Sequence, residues 1–101
     1  MKTKAKGTRR EHDVIKMWEA VGAKCIRSAG SFGPFDIIVH FEGFEILIQV
    51  KSNRKPPPEE IEEMKMWPSA QNRLKGYCVW KDQDKERGEE GGPEFYWEPS
   101  W

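Results

Sequence analysis

The stretch DIIVHFEGFEILIQVK, residues 36–51, decides the fold. Its two halves, about 35–41 and 44–51, are rich in β-branched and aromatic residues. The Glu42-Gly43 pair between them is typical of a tight hairpin turn, so we expect two antiparallel strands. The second half is almost continuously apolar, which indicates a central strand covered on both faces.

Polar residues stand at the open end of this hairpin. Asp36 begins the first strand, and Gln49 and Lys51 end the second. Antiparallel pairing about the turn brings these two ends together, and side chains two positions apart on one strand point to the same side. A carboxylate, a second oxygen ligand and a lysine at the rim of a sheet suit a hard divalent cation such as Mg²⁺.

An amphipathic helix precedes the hairpin. Thr8-x-x-Glu11 has the pattern of a capping box, apolar residues then recur at helical spacing, and Gly22 is a typical stop, which predicts a helix over about 9–21. Glu11 lies at the N-terminal end of the buried face. We therefore expect its carboxylate to point inward, toward the same rim.

The other elements are predicted by the same signals of apolar spacing and of proline or glycine breaks. Strands are expected at about 24–29, at Tyr77–Trp80 and, as a short edge strand, around Phe95–Trp97. A second helix is expected to begin at Pro56–Pro58, to be broken near Trp67 by Pro68, and to resume through Leu74 to Gly76. The order αβββαβ predicts an α/β fold with a mixed central sheet flanked by helices.

At 101 residues the chain is short enough for one domain, expected over 8–101 after a basic N-terminal arm at 1–10. A charged, glycine-rich segment at 81–93 is the best candidate for a mobile loop. No apolar run has the length of about 20 residues that crosses a bilayer, so we expect a soluble, cytoplasmic protein. Cys25 and Cys78 show no metal-binding spacing and are expected to be buried thiols.

The net charge is formally zero, but its distribution along the chain is uneven. The first ten residues carry five basic side chains and no acid, and a second basic cluster is formed by Lys51, Arg54 and Lys55. Residues 81–98 carry seven acids and only three basic residues. Two basic clusters of this kind are typical of a surface that binds the phosphate backbone of a nucleic acid.

Several of these motifs, joined in one order, resemble a known family. The "D…QVK" pattern, with thirteen positions from Asp36 to Gln49, is similar to the PD-(D/E)xK nuclease signature, and Pro34-Phe35-Asp36 resembles a stretched "PD". The wider set, "KG…E" at 6–11, "RSAGS" at 27–31, "DIIV" and "IQVKS", resembles the archaeal-type Holliday junction resolvases. The resemblance covers about residues 6–80.

This resemblance implies a restriction-endonuclease-like fold and a metal-dependent endonuclease that cuts four-way DNA junctions as a homodimer. Asp36, Gln49 and the Val50 carbonyl would bind Mg²⁺, for which Mn²⁺ could substitute. Glu11 would complete the acidic set, and Lys51 would orient or deprotonate the attacking water.

The same resemblance, with the basic clusters, predicts residues that contact DNA. Arg27 matches a family arginine that engages phosphate, His12 stands where the family has an arginine, and Ser31 lies in a loop that the family places against DNA. The full predicted set is Lys4, Lys6, Arg9, Arg10, His12, Arg27, Ser31, Arg54 and Lys55.

Position 49 departs from the family pattern, because Gln49 replaces a glutamate and removes one negative charge from the metal site. Mg²⁺ should therefore bind more weakly. An acid on the second helix, Glu60 or Glu63, could replace the missing carboxylate. Two alternatives stay open: a nuclease-fold module that binds branched or duplex DNA with weakened catalysis, and a nuclease of the same fold that acts on flaps or linear duplex.

Overall fold

Residues 2–101, the part of the chain described by this computed structural model, form a five-stranded sheet flanked by two helices; side chains are described for residues 9–101. The elements in chain order are α1 (Lys2–Ala20), β1 (Lys24–Arg27), β2 (Ile37–Phe41), β3 (Phe44–Ser52), α2 (Pro58–Met66), β4 (Arg73–Lys81) and β5 (Gly92–Trp97).

The sheet is mixed and its strands follow one another in the order β1-β2-β3-β4-β5. Neighbouring strands are antiparallel except β3 and β4, which run parallel because α2 carries the chain back between them. Phe41 pairs with Phe44 across the turn at Glu42-Gly43, as the hairpin pattern predicts. The expected α/β fold with a mixed sheet is confirmed.

Alternation along the central strands divides the core between the two faces of the sheet. Ile46, Ile48 and Val50 of β3 pack on the α1 side, with Val14 of that helix. Leu47 faces the α2 side, with Met64 of that helix. The prediction that β3 is covered on both faces is therefore confirmed.

The start of the first helix differs from the sequence prediction. Helix α1 begins at Lys2 rather than near residue 9, so Thr8 and Glu11 lie inside the helix and the predicted capping box does not mark its start. Lysine and alanine dominate residues 2–6 and are strong helix formers, which carries the helix upstream of the box. The segment predicted as a basic arm thus forms the first turns of α1 from residue 2 onward.

The end of the second helix was also predicted wrongly. Helix α2 ends at Met66, with Trp67 in an extended conformation before Pro68, and it does not resume. Leu74 and Gly76 instead belong to β4, which pairs with β3 from Arg73 onward. The long-range parallel pairing overrides the local helical spacing.

The final strand is confirmed as a sheet edge, although it begins at Gly92, earlier than expected. The predicted mobile loop at 81–93 therefore ends in strand residues. Asp84 and Glu89 form an isolated antiparallel bridge within it. The mobility of this segment stays a prediction.

We expect Gly76→Ala to destabilise the fold by about 1–3 kcal/mol, the usual cost of overpacking a core. A Cβ at Gly76 would collide with the ring of Trp97 and lie 2.7 Å from the Tyr96 carbonyl oxygen on β5. Urea unfolding measures the loss. Gly88→Ala measures backbone strain alone, because Gly88 has φ +68° and a Cβ there meets no atom within 4 Å, whereas Gly76 has no left-handed φ. Unchanged stability of Gly76→Ala would contradict the prediction and would show that Trp97 and β5 move aside to accept the methyl group.

Candidate active site

Asp36 is fixed between the loop that follows β1 and the end of β3. Its backbone N–H donates to the Ile48 carbonyl at 2.9 Å, and its carbonyl accepts from the Ser28 N–H at 2.8 Å. The carboxylate Oδ2 accepts from the Val50 N–H at 2.8 Å. The side chain thus occupies a backbone donor of β3, which holds the carboxylate at the rim of the sheet.

The carboxyl group of Asp36 is easier to protonate than an ordinary aspartate. Burial is the main cause, and it raises the pKa from 3.8 to about 6 against the opposing hydrogen bond from Val50. The carboxylates of Glu11 and Glu60 raise this pKa further, whereas the Lys51 ammonium lowers it. A cation bound beside Asp36 would favour the ionised form of this carboxyl and would lower its pKa.

Gln49 and Glu60 meet on the α2 side of the rim. Gln49 is only 4% exposed, and its Nε2 donates to Glu60 Oε1 and to the Pro34 carbonyl, both at 3.0 Å. Gln49 Oε1 is buried and has no hydrogen-bond partner. Glu60 reaches this point from the first turn of α2, where an acid is favoured by the helix dipole.

Lys51 extends to the same carboxylate. Its Nζ lies 3.2 Å from Glu60 Oε1, and both side chains are about one-third exposed. The predicted convergence of the two hairpin ends is therefore present: Asp36, Gln49 and Lys51 share one rim. Of the two acids considered as replacements, Glu60 contacts this group, whereas Glu63 is exposed.

Glu11 approaches the site but forms a pair that the sequence did not predict. Its Oε1 accepts from Arg27 Nε at 2.9 Å, and Arg27 remains 46% exposed. Glu11 still acts on Asp36 through space, since it raises the pKa of that carboxyl. The α1 helix thus brings a second acid to the rim with a basic partner of its own.

The oxygen atoms at this rim are of the type that binds Mg²⁺. Among the described side chains, no three His, Cys, Asp or Glu residues are grouped to hold a metal by themselves. Mg²⁺ is commonly held by only one or two carboxylates and keeps several waters. Asp36 and Glu60 supply two carboxylates, and the unpartnered Gln49 Oε1 is a further oxygen donor that is otherwise costly to bury.

Comparison with known proteins gives a clear likeness to a solved structure. No family profile and no curated protein matches the chain. The solved structure of Archaeoglobus fulgidus Hjc, a Holliday junction resolvase from an archaeal hyperthermophile, superimposes with a TM-score of 0.64 over 88% of this chain and 83% of that chain, at 22% identity. The chain has the fold of a Holliday junction resolvase. At this identity the likeness concerns the fold alone, and it confirms the resolvase-like nuclease fold that the motifs predicted.

Most residues predicted to contact DNA are exposed on this resolvase fold. The exposed residues include Arg9, His12, Ser31, Arg54 and Lys55. The Lys55 Nζ lies 5.6 Å from the centre of the Tyr96 ring. The side chains of Lys4 and Lys6 lie outside those that the structure describes.

No helix of residues 2–101 is long and apolar enough to cross a membrane.

Arg10, also predicted to contact DNA, is tied into the protein. It forms ion pairs with Asp13 at 3.1 Å and with Asp82, and its guanidinium lies 5.3 Å from the centre of the Trp80 ring. Asp82 is also held by Asn53, whose Oδ1 accepts from the Asp82 N–H at 2.8 Å. Arg10 thus joins α1 to the end of β4.

We expect Arg10→Met to lower stability by about 1 kcal/mol, the sum of weak ion pairs and a cation–π contact, and to leave DNA affinity nearly unchanged. Arg54→Met is the matched variant, because Arg54 is exposed and is expected to lose affinity without losing stability. Thermal unfolding and a junction-binding titration measure both quantities. A loss of affinity for Arg10→Met as large as for Arg54→Met would contradict the structural role.

An aromatic cluster that no local sequence pattern predicts packs against the loop before Asp36. Trp67, at the end of α2, packs against Phe32 and Phe35 with ring centres 6.3 Å apart in both pairs. The Trp67 ring also lies directly over Gly33, where any Cβ would collide with it. The only sequence signal is a glycine with a neighbouring Pro34, which indicates a turn but not its aromatic partner.

Proposed function

We propose that the protein is a metal-dependent endonuclease that hydrolyses DNA phosphodiester bonds and acts on four-way junctions as a cytoplasmic homodimer. One observation carries this proposal: in a chain with the fold of a Holliday junction resolvase, one rim of the sheet brings together Asp36, Gln49, Lys51 and Glu60. A junction offers two symmetric cutting positions, which suits a two-fold symmetric enzyme.

Asp36 and Glu60 would hold the cation, with Gln49 Oε1 as a neutral donor. When bound, Mg²⁺ supplies Lewis-acid polarisation of the phosphate and a lowered pKa of bound water. Lys51, whose Nζ contacts Glu60, would orient the attacking water and meet the charge that develops on the phosphate. The Val50 N–H keeps the Asp36 carboxylate in place during this chemistry.

Exposed cations near the site would hold the DNA backbone. Arg27 stands on β1 with nearly half of its side chain exposed, and its Glu11 partner orients the guanidinium. Arg54 lies two residues after the end of β3, the strand that carries Lys51. Such contacts to phosphate make affinity fall steeply with salt concentration.

A cleavage panel tests the proposal. The full chain is incubated with labelled four-way junction, flap and linear duplex in Mg²⁺, in Mn²⁺ and in chelator. We expect paired, symmetric cuts in the junction that require the metal and that Lys51→Ala abolishes. Cutting of flap or duplex in preference to the junction would transfer the proposal to those substrates, and an absence of metal-dependent cutting of all three would refute it.

A second candidate is a DNA-binding module with weak or no catalysis. It is favoured by one observation: the Glu60 carboxylate is engaged by both Lys51 and Gln49, and no three-acid metal group is present among the described side chains. In that case Asp36→Ala would keep full, salt-sensitive junction affinity while the wild type shows no metal-dependent cutting. Affinity that ignores salt would argue against this candidate.

A further inference from the structure

Gln49 connects three parts of the site through one amide group. Its Nε2 carries two protons, and each has an acceptor: the Pro34 carbonyl in the loop before Asp36, and Glu60 Oε1 on α2, both at 3.0 Å. The side chain itself stands on β3 and is 4% exposed. Hydrogen bonds made in such a buried place are strong and costly to lose.

We propose that Gln49 is a positioning residue whose amide NH₂ group holds the Glu60 carboxylate beside Asp36, so that the acid of this site comes from α2 and depends on an amide at position 49. This inference rests on the proposed metal-dependent function. It differs from the simple view that Gln49 is a weakened metal ligand, because the nitrogen and not only the oxygen of the amide has a defined task.

The chemistry of the amide explains why a carboxylate cannot replace it here. An ionised glutamate at position 49 has no proton to donate, so the Pro34 carbonyl and Glu60 would both lose the amide donor, and Glu60 would keep only its contact with Lys51. Its negative charge would also lie at hydrogen-bond distance from Glu60, next to Asp36, whose pKa is already raised by burial and by the neighbouring acids. Gln49→Glu would therefore push Glu60 away instead of completing the metal site.

The second attachment of α2 to the same loop supports this positioning role. Trp67 at the helix end packs on Phe32, Gly33 and Phe35, while Gln49 ties Glu60 at the helix start to Pro34. The two ends of α2 are thus fastened to one loop, the loop that leads into Asp36. Loss of the Gln49 link frees the end of the helix that carries the acid.

The inference is tested by measuring Mn²⁺ binding to the metal-free full chain with titration calorimetry. We expect Gln49→Glu to weaken Mn²⁺ binding by about 10- to 100-fold, the usual cost of losing a group that orients a metal ligand. The exchanged double variant Gln49→Glu/Glu60→Gln restores one acid and one amide facing each other, and we expect it to recover most of the affinity. Gln71→Glu, at an exposed position, is the control for added charge.

A second measurement needs no metal. The Gln49 side-chain protons should exchange slowly with water in an NMR spectrum of the metal-free protein, and Glu60→Ala, which removes the acceptor, should speed the exchange while the fold is retained. Gln49→Glu that binds Mn²⁺ as tightly as the wild type or more tightly would overturn the inference. Rapid exchange of the Gln49 protons in the wild type would overturn it too. A wild type that binds no Mn²⁺ refutes the metal-dependent function, and the exchange measurement still decides the contact between Gln49 and Glu60.

Discussion

The Asp36→Asn variant is expected to lose metal-dependent junction cleavage by about 100-fold or more, and to be more stable than the wild type at neutral pH without metal. The first effect follows because Asp36 is the carboxylate fixed at the rim by Val50. The second follows because ionisation of Asp36 is unfavourable in the folded state. An asparagine oxygen can still accept the Val50 hydrogen bond, so the fold is retained.

The pH dependence has a definite sign. The pKa of Asp36 is about 6 in the folded protein and 3.8 as its ordinary value, so the folded state binds more protons between these values. The metal-free wild type should therefore be most stable below pH 4 with respect to this group and lose stability as pH rises to about 6. Partial solvent screening reduces the difference to about 1–2 kcal/mol.

Thermal unfolding in chelator at pH 4.5 and 7.5 measures this effect, with and without added Mg²⁺. Asp36→Asn should gain stability over the wild type at pH 7.5 in chelator and should not respond to Mg²⁺, whereas the wild type should be stabilised by it. Glu62→Gln, on the exposed side of α2, is the control for loss of a charge. An Asp36→Asn variant that is less stable than the wild type in chelator at pH 7.5 would contradict the assignment of the raised pKa.

The hairpin made the central part of this site predictable from sequence. Strand alternation and a Glu42-Gly43 turn fix which residues meet at the open end, and the register pairs Ile37 with Ile48, next to Asp36 and Gln49. Glu60 was one of two candidates because the rotation of a helix against a sheet depends on packing that its sequence does not specify. The Glu11 pair with Arg27 joins α1 to β1 and has no local signal at all.

Elements that depend on long-range pairing were predicted least well. The helical prediction through Leu74 to Gly76 used local spacing, and the actual conformation is set by the parallel pairing of β4 with β3. Lys75 is the clearest consequence: between Leu74 and Gly76 it is 3% exposed, although a lysine at that place in a helix would be expected at the surface. Its partners come from α2 and the C-terminal segment, which no local pattern connects to it.

Lys75→Met is expected to destabilise the protein by about 2–4 kcal/mol. The Lys75 Nζ donates to the carbonyls of Lys65 at 3.0 Å and Trp67 at 2.8 Å, at the end of α2, and lies 3.4 Å from Glu98 Oε2. Methionine fills a similar volume but leaves these acceptors without a donor, and the helix end keeps its partial negative charge in a buried place. The loss falls on the contact that anchors α2, the helix that carries Glu60.

Urea unfolding compares Lys75→Met with Lys65→Met, an exposed lysine in the last turn of the same helix, for which the expected change is within about 0.5 kcal/mol. Mn²⁺ affinity measured well below the unfolding midpoint should also fall in Lys75→Met, because a loosened α2 no longer presents Glu60 in one position. Unchanged stability in Lys75→Met would show that water reaches these carbonyls. A large loss of stability with unchanged Mn²⁺ affinity would show that the start of α2 is held by the Gln49 contact independently of its end, which separates the two attachments of the helix.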